Sequence, residues 1–418
     1  MRRYAFAGFI GMAAATLSLA APPGPGFTAK VTVTEPTRLD WTFLVSNRSF
    51  VDPPPQLLTK GYDSTKQSYD LFLPQRKDPK KPFPAILFVS AGDEPSGWKN
   101  YEPICKEKGF VFIGVRGAGN NVDGPKRVRV ILDCLDDVRR QFPLDPDRTY
   151  ATGFSGGGRI ACALAFALPE YFGGMIPLCA GGDLRDEQWL RFRAADRLSA
   201  ALITGEADFN RGEVDRWKGP MWKELGIRTR VWTQPKLGHA VPSTATLAEA
   251  VAWLDEAASA RASFAKKAPA SRAAPDAVPS RTDAAQALLK EGQDLLTTRE
   301  TLYRGLMLVK GTSDRWPDTD AGKAARKLLE SYEAKKEKPW EADDIAELRK
   351  QFAAEARALG DYVLNGIPAG SPYEKQKPDM ARRAAELWAA LIGDAPNSTL
   401  ASEGKKRLSE LEPLLKKK

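Results

Sequence analysis

Between residues 30 and 258, short apolar runs alternate with amphipathic segments. Residues 85–89 (Ala-Ile-Leu-Phe-Val) and 110–115 are continuous apolar stretches of strand length, the pattern of strands buried within a sheet. Residues 69–74, 148–154, 175–178, 200–204 and 228–233 read as further strands, and 31–33 and 41–45 as edge strands. Segments 101–108, 159–168 and 244–257 read as helices. Val128, Ile131, Leu135, Val138 and Phe142 recur at helical spacing, predicting another over 128–142. Strands alternating with helices predict an α/β fold: a mostly parallel sheet with helices on both faces, over about 27–260.

The pattern breaks at 262–280, which is rich in Ala, Pro, Ser and basic residues and lacks apolar periodicity. A linker is expected over 261–282, then an all-α domain over 283–418. Leu288, Leu295 and Leu302 recur every seven residues, marking an amphipathic helix. A weak repeat follows: Trp316-Pro317-Asp318-Thr319 and Ala395-Pro396-Asn397-Ser398 each stand between helical stretches. In both, a Pro, a short polar residue and a hydroxyl residue stop one helix and cap the next. The arrangement resembles degenerate tetratricopeptide helix pairs; an unrelated bundle with two similar caps is the alternative. On this reading the helices are removable after about Ala270 without loss of activity, and they are where a protein partner would dock.

The N-terminus stands apart from both regions. Met1-Arg2-Arg3 is basic, residues 5–17 are apolar, and Ser18-Leu19-Ala20 offers small residues for cleavage, so 1–21 reads as a signal peptide. An uncleaved anchor helix is the alternative; no Cys follows the run to carry a lipid. A secreted or periplasmic location is expected, with no stable membrane span once the leader is cut. The net charge of +9 is spread over mixed-sign helices and a lysine tail, which disfavours nucleic-acid binding. The cysteines (Cys105, Cys134, Cys162, Cys179) form no CxxC pair, and with one histidine they make a zinc site nearly untenable. No metal or cofactor is expected. Cys134 and Cys162 fall on helices expected to lie side by side, making them the preferred disulfide pair; four buried thiols are the alternative.

The chemistry concentrates in three places. Gly153-Phe154-Ser155-Gly156-Gly157 lies between a strand (148–152) and a helix (159–164), the setting in which a nucleophilic serine protrudes from a sheet edge. Asp208 follows the 200–204 strand in Gly205-Glu206-Ala207-Asp208. Glu206 and Asp215 compete with it for the role of acid, and a helix cap near Arg211 is the plain structural role for Asp208. His239, the only histidine, lies later still, on a loop after a strand. The order Ser, Asp, His is that of an α/β-hydrolase triad, with His239 as base and Asp208 fixing its tautomer. An oxyanion hole needs two backbone donors: Gly156 is one, and Ala91 or Gly92, after the 85–89 strand, the other.

Asp145-Pro146-Asp147-Arg148-Thr149-Tyr150-Ala151-Thr152 leads into Gly153-Phe154-Ser155-Gly156-Gly157-Gly158. This resembles α/β-hydrolases of the poly(3-hydroxybutyrate) depolymerase, feruloyl esterase and acetyl xylan esterase type, over about 69–257. The resemblance implies a serine esterase working through an acyl-enzyme. Those enzymes usually carry His-Gly at the oxyanion loop, where this chain has Ser90-Ala91, which puts the second donor in doubt. About twenty residues separate Ala180 from the next strand, too few for a cap domain, so an open site for a bulky or polymer-borne ester is expected. Within that stretch, 189–193 reads either as rim or as a packed surface helix. A serine peptidase of related fold and a weakly active hydrolase-like interaction protein are the competing functions.

Overall fold

The computed structural model describes residues 23–46, 49, 56–75 and 78–416; the leader expected over 1–21 lies outside them. In chain order the strands are β1 (Gly26–Thr32), β2 (Ser68–Leu73), β3 (Phe83–Val89), β4 (Val111–Val115), β5 (Leu144–Phe154), β6 (Gly174–Leu178), β7 (Ser199–Gly205) and β8 (Arg228–Gln234). They form one sheet ordered β1-β2-β4-β3-β5-β6-β7-β8. The β1–β2 and β2–β4 pairings are antiparallel, and every pairing from β4 to β8 is parallel. This is the α/β-hydrolase arrangement.

Helices cover both faces. On one side lie α1 (Trp41–Val45), α3 (Gly124–Gln141), α4 (Gly156–Ala167) and α5 (Gln188–Arg197); on the other lie α2 (Trp98–Lys108) and α7 (Thr244–Glu256). A short α6 (Gly219–Glu224) precedes β8. Within β3, Leu87 and Val89 join the core beneath α3 and α4, while Ile86 and Phe88 join that beneath α2 and α7. Both sets are fully buried, so the run carries no polar alternation.

Two sequence readings fail here. Residues 41–45 form α1 and not an edge strand. The backbone just before it is anchored over α3: the N–H groups of Thr34, Thr37 and Arg38 donate to Asp137, Asp133 and Asp136 at 2.9, 2.7 and 2.7 Å. A segment tied to carboxylates on a helix is held away from the sheet edge. The proposed Cys134–Cys162 pair is also absent. All four cysteines are free and buried, and Cys105, Cys134 and Cys162 pack among apolar neighbours as small hydrophobes.

The expected linker is not a free tether. α8 (Ala258–Lys267) runs through its first part. The rest lies along the α/β region: Ala273 N–H donates to the Glu170 carbonyl (2.8 Å), Leu144 N–H to the Pro275 carbonyl (2.9 Å), and Arg139 to those of Ala274 and Ala277 (2.6 and 3.0 Å). A segment without apolar periodicity is thus held by its backbone, which sequence pattern does not register.

Six helices follow: α9 (Arg281–Asp294), α10 (Arg299–Arg315), α11 (Asp320–Glu333), α12 (Glu341–Asn365), α13 (Lys377–Asp394) and α14 (Thr399–Leu415). Thr319 and Ser398 cap α11 and α14, accepting from the N–H groups of Gly322 and Ala401 at 3.0 Å each. Leu302, Leu306 and Met307 of α10 and Ala354 and Ala358 of α12 belong to the same apolar cluster as α3 and α4. The fully buried Trp189 of α5 lies against Gly311 of α10, where a Cβ would come within 2.6 Å of the indole. The segment 189–193 is therefore a packed helix and not part of a rim.

Arg315, at the end of α10, fastens the two regions. Its side chain is 2% exposed, donates to Asp40 at 3.1 Å and pairs with Glu170 at 2.9 Å. Burial pushes the Glu170 carboxyl up, but Arg315 and Arg193 together pull it below its ordinary value. Glu170 therefore stabilises the fold while ionised and loses that contribution as pH falls through its depressed folded-state value.

Truncation after Ala270 is thus expected to expose this shared core and yield a poorly folded chain, reversing the expectation from sequence. Arg315→Met, which takes the nearest cation away from the Asp40 and Glu170 carboxylates, should lower unfolding free energy at neutral pH by about 3–5 kcal/mol. The deficit should narrow below the ordinary glutamate range, where Glu170 protonates. Urea unfolding at pH 7 and pH 4 measures both; a deficit below about 1 kcal/mol at pH 7 counts against the clamp.

Candidate active site

The parallel strands bring several loops to the carboxyl edge of the sheet, where open α/β sheets place their ligands. β5 ends at Phe154 and α4 begins at Gly156, leaving Ser155 alone between strand and helix. Its backbone sits at φ 54°, ψ −120°, a region an L-residue avoids unless its surroundings force it. Those surroundings are visible. Ser155 N–H donates to the Leu178 carbonyl on β6 (2.9 Å), and its own carbonyl accepts from Gly158 N–H (2.9 Å). A Cβ on Gly153 or Gly157 would lie 2.5 or 2.0 Å from the Val89 carbonyl oxygen, so only glycine fits on either side of the serine.

The structure brings Ser155, His239 and Asp208 together. His239 Nε2 lies 2.9 Å from Ser155 Oγ, and His239 Nδ1 lies 2.7 Å from Asp208 Oδ1. With Asp208 ionised, Nδ1 carries the proton and Nε2 is left to accept from the serine hydroxyl. The Asp208 side chain is fully buried, and that of His239 is 19% exposed. Thr204 Oγ1 donates to Asp208 Oδ2 at 2.6 Å, and Asn210 N–H to Oδ1 at 3.0 Å, so both carboxylate oxygens are engaged. The acid turn is tied to the histidine loop by Ala207 N–H on the Leu237 carbonyl (2.8 Å). The competitors are occupied elsewhere: Glu206 accepts from Lys236 N–H (3.0 Å), and Asp215 pairs with Arg211 (3.0 Å).

Ala91 and Gly92 stand on the loop after β3, braced by Asn120 N–H on the Ala91 carbonyl (2.8 Å) and Gly117 N–H on that of Asp93 (2.8 Å). Gly156 opens α4, whose N-terminus favours negative charge. Sequence reasoning missed the Asn120 amide, which stands so close to Gly156 that a Cβ there would fall 1.9 Å from its Oδ1. It also missed two aromatic neighbours of the imidazole. Phe209 stacks on His239 with ring centroids 4.0 Å apart, and Phe154 lies at 4.8 Å. Phe209 is half exposed, a large apolar surface left open beside the site. The only available signal was position: Phe154 precedes Ser155 and Phe209 follows Asp208.

Cys179, Asp208 and His239 are the one group of three metal-ligating side chains found among the described residues, their donor atoms within 4.8 Å of one another. The histidine and aspartate atoms are already joined by a hydrogen bond, and the Cys179 thiol donates to the Ala240 carbonyl at 3.4 Å. These contacts hold the acid and histidine loops together. No helix among the described residues is long and apolar enough to cross a membrane.

No family model matches the chain, and no curated protein sequence matches it. Among solved structures it is similar to an S-formylglutathione hydrolase of Staphylococcus aureus, at 17% identity over 46% of this chain and 93% of that one, TM-score 0.36. It is similar to a carboxylesterase of Bacillus cereus at 18% identity, over 46% and 95%, TM-score 0.33. It is also similar to a ferulic acid esterase at 15% identity, over 46% and 93%, TM-score 0.37.

Burial pushes the thiols up, Cys162 to about 12, and Cys179, where Asp208 adds to the effect, also to about 12. Thiolate is therefore scarce at pH 8, and the groups are screened from solvent. An aromatic disulfide reagent at pH 8 should find no reactive thiol in the native chain and all four after denaturation. Two or fewer in denaturant would mean a disulfide exists.

Proposed function

We propose that this chain is a serine hydrolase that cleaves carboxylic esters through an acyl-enzyme, exported by the leader expected over residues 1–21. The observation that carries this reading is the unbroken line of hydrogen bonds from Ser155 Oγ through His239 to the buried Asp208. A strained elbow at the sheet edge presents it. The ester preference rests on the resemblance of residues 145–158 to the esterase elbow.

In the first half-reaction Ser155 Oγ attacks the ester carbonyl while its proton passes to His239 Nε2. The carbonyl oxygen becomes an oxyanion, which the Gly156 N–H meets at the start of α4, with Ala91 or Gly92 as second donor. The imidazolium formed at this point faces the Asp208 carboxylate, with Phe209 stacked on it and Phe154 close by. Nε2–H then protonates the departing alkoxide, releasing the alcohol and leaving the acyl group on Ser155. Water follows by the same route: His239 takes its proton, the second oxyanion collapses, and Ser155 regains its hydrogen as the acid departs. Between β6 and β7 the only helix is α5, packed down under α10, so no cap covers the elbow from that crossover. This supports access for bulky or polymer-borne esters.

Ser155→Ala and His239→Ala should both abolish hydrolysis of a short-chain nitrophenyl ester while remaining folded. Asp208→Asn should lower kcat by up to about 10⁴-fold through the wrong tautomer. A fluorophosphonate probe should modify Ser155 alone. Turnover surviving in either alanine variant, or labelling elsewhere, would defeat the assignment. A matched nitroanilide, measured alongside, separates esterase from peptidase.

A further inference from the structure

The turn that carries Asp208 is not completed by the hydrolase region alone. Asn210, two residues on, is buried; its carbonyl accepts from Glu213 N–H (3.0 Å), which leaves three polar groups to satisfy. Its N–H donates to Asp208 Oδ1 (3.0 Å), and its Nδ2 donates to the Cys179 carbonyl (2.8 Å). Cys179 follows β6 at φ 53°, and its thiol reaches the histidine loop at Ala240. Asn210 therefore ties the acid turn to the neighbouring strand end, leaving one acceptor, Oδ1. That acceptor meets the hydroxyl of Tyr373 at 3.0 Å, from a residue 163 positions further along the chain.

Tyr373 lies in a 3₁₀ helix, Pro372–Gln376, between α12 and α13. The same hydroxyl reaches Glu213 Oε2 at 2.9 Å, so its one proton lies between two acceptors. Glu213 also receives Arg159 from the first turn of α4, at 3.2 Å. Burial and the Glu213 carboxylate push the Tyr373 phenol up, so it stays a donor at any working pH. Between Asn210 and β8 the chain forms a π-helix, Gly212–Lys218, an irregular geometry that recurs at functional sites. It too is held from the helical region: a Cβ on Gly212 would fall 2.4 Å from the Tyr362 ring, and Arg216 donates to the Asn365 carbonyl. One side of the acid turn is thus built from residues about 150 positions away or further.

We infer that Tyr373 is a positioning residue for the catalytic acid: through its hydroxyl on Asn210 and Glu213, the docked helical region sets Asp208 against His239. The helices are then part of the machinery of turnover, and a chain in which they are loosened keeps its serine but loses the alignment of its base. This rests on the triad reading of Ser155, His239 and Asp208.

The test uses the full chain and nitrophenyl acetate, with Tyr69→Phe as the control. Tyr69 is also buried and donates to Asp137 at 2.7 Å, outside the groups assigned here to the site. Tyr373→Phe keeps the ring and removes only the hydroxyl. It should lower kcat by about tenfold with little change in KM, the scale of one lost buried hydrogen bond. The acid limb of its kcat/KM profile should move to lower pH, because a misaligned Asp208 supports the imidazolium less well. Tyr69→Phe should melt at lower temperature with both quantities unchanged. Asn210→Ala removes the same bond from its other end and should also lower kcat. If Tyr373→Phe turns over like wild type and only melts earlier, the inference is overturned; if that variant does not fold, wild-type turnover by Asn210→Ala overturns it equally. Failure of wild-type Ser155 to react with a fluorophosphonate would overturn the hydrolase reading, and this inference with it. Normal labelling with a Tyr373→Phe rate equal to wild type would overturn the positioning role alone.

Discussion

The site depends on how closely β5 and the start of α4 approach the end of β3. Val89 pairs with Gly153 in the sheet, and its carbonyl oxygen then faces the positions where side chains of Gly153 and Gly157 would be. Any Cβ at Gly157 would enter that oxygen at 2.0 Å, far inside contact distance. With glycine there, the chain turns from strand to helix in a single residue, and Ser155 takes up the strained dihedral that lifts Oγ clear of the strand. The placement of Asp208 and His239 matters only because the serine is already fixed at that point.

From this elbow the order of strands does the rest. Ser155 follows β5, Cys179 follows β6, Asp208 follows β7 and His239 follows β8, so four adjacent parallel strands deliver them in sequence to one edge. Backbone bonds such as Ala207 N–H to the Leu237 carbonyl set the loops of Asp208 and His239 against each other. Burial of Asp208 makes the arrangement demanding, since each carboxylate oxygen must be satisfied within the protein. Thr204 and Asn210 satisfy them, and Asn210 in turn leans on the helical region.

That dependence matches the way the two regions are joined. The buried Arg315 between Asp40 and Glu170, the Ala/Pro segment along the α/β region, and α10 and α12 in the shared core make the helices a wall of the molecule. Low periodicity in 262–280 looked like slack in the chain. In the fold it is a strap whose backbone donors and acceptors are met by its neighbours.

Much of the α/β region was legible because its signals are local. Continuous apolar runs mark strands buried on both faces, the glycines around Ser155 mark a turn no other residue could make, and a lone histidine after Asp208 leaves no rival base. The helix at 41–45, the free state of Cys134 and Cys162, and the burial of Asp133, Asp136 and Asp137 on α3 were not legible. Each depends on partners about a hundred residues away in some cases, and on simple packing distance in others. The same holds for Tyr373 on Asn210, which nothing near either residue announces. Sequence alone determined which groups could do chemistry and in what order they come, because spacing and residue type are written along the chain. Tertiary structure decided which groups hold the acid in place, because a buried hydrogen bond is fixed by proximity in space and leaves no periodic trace in the chain.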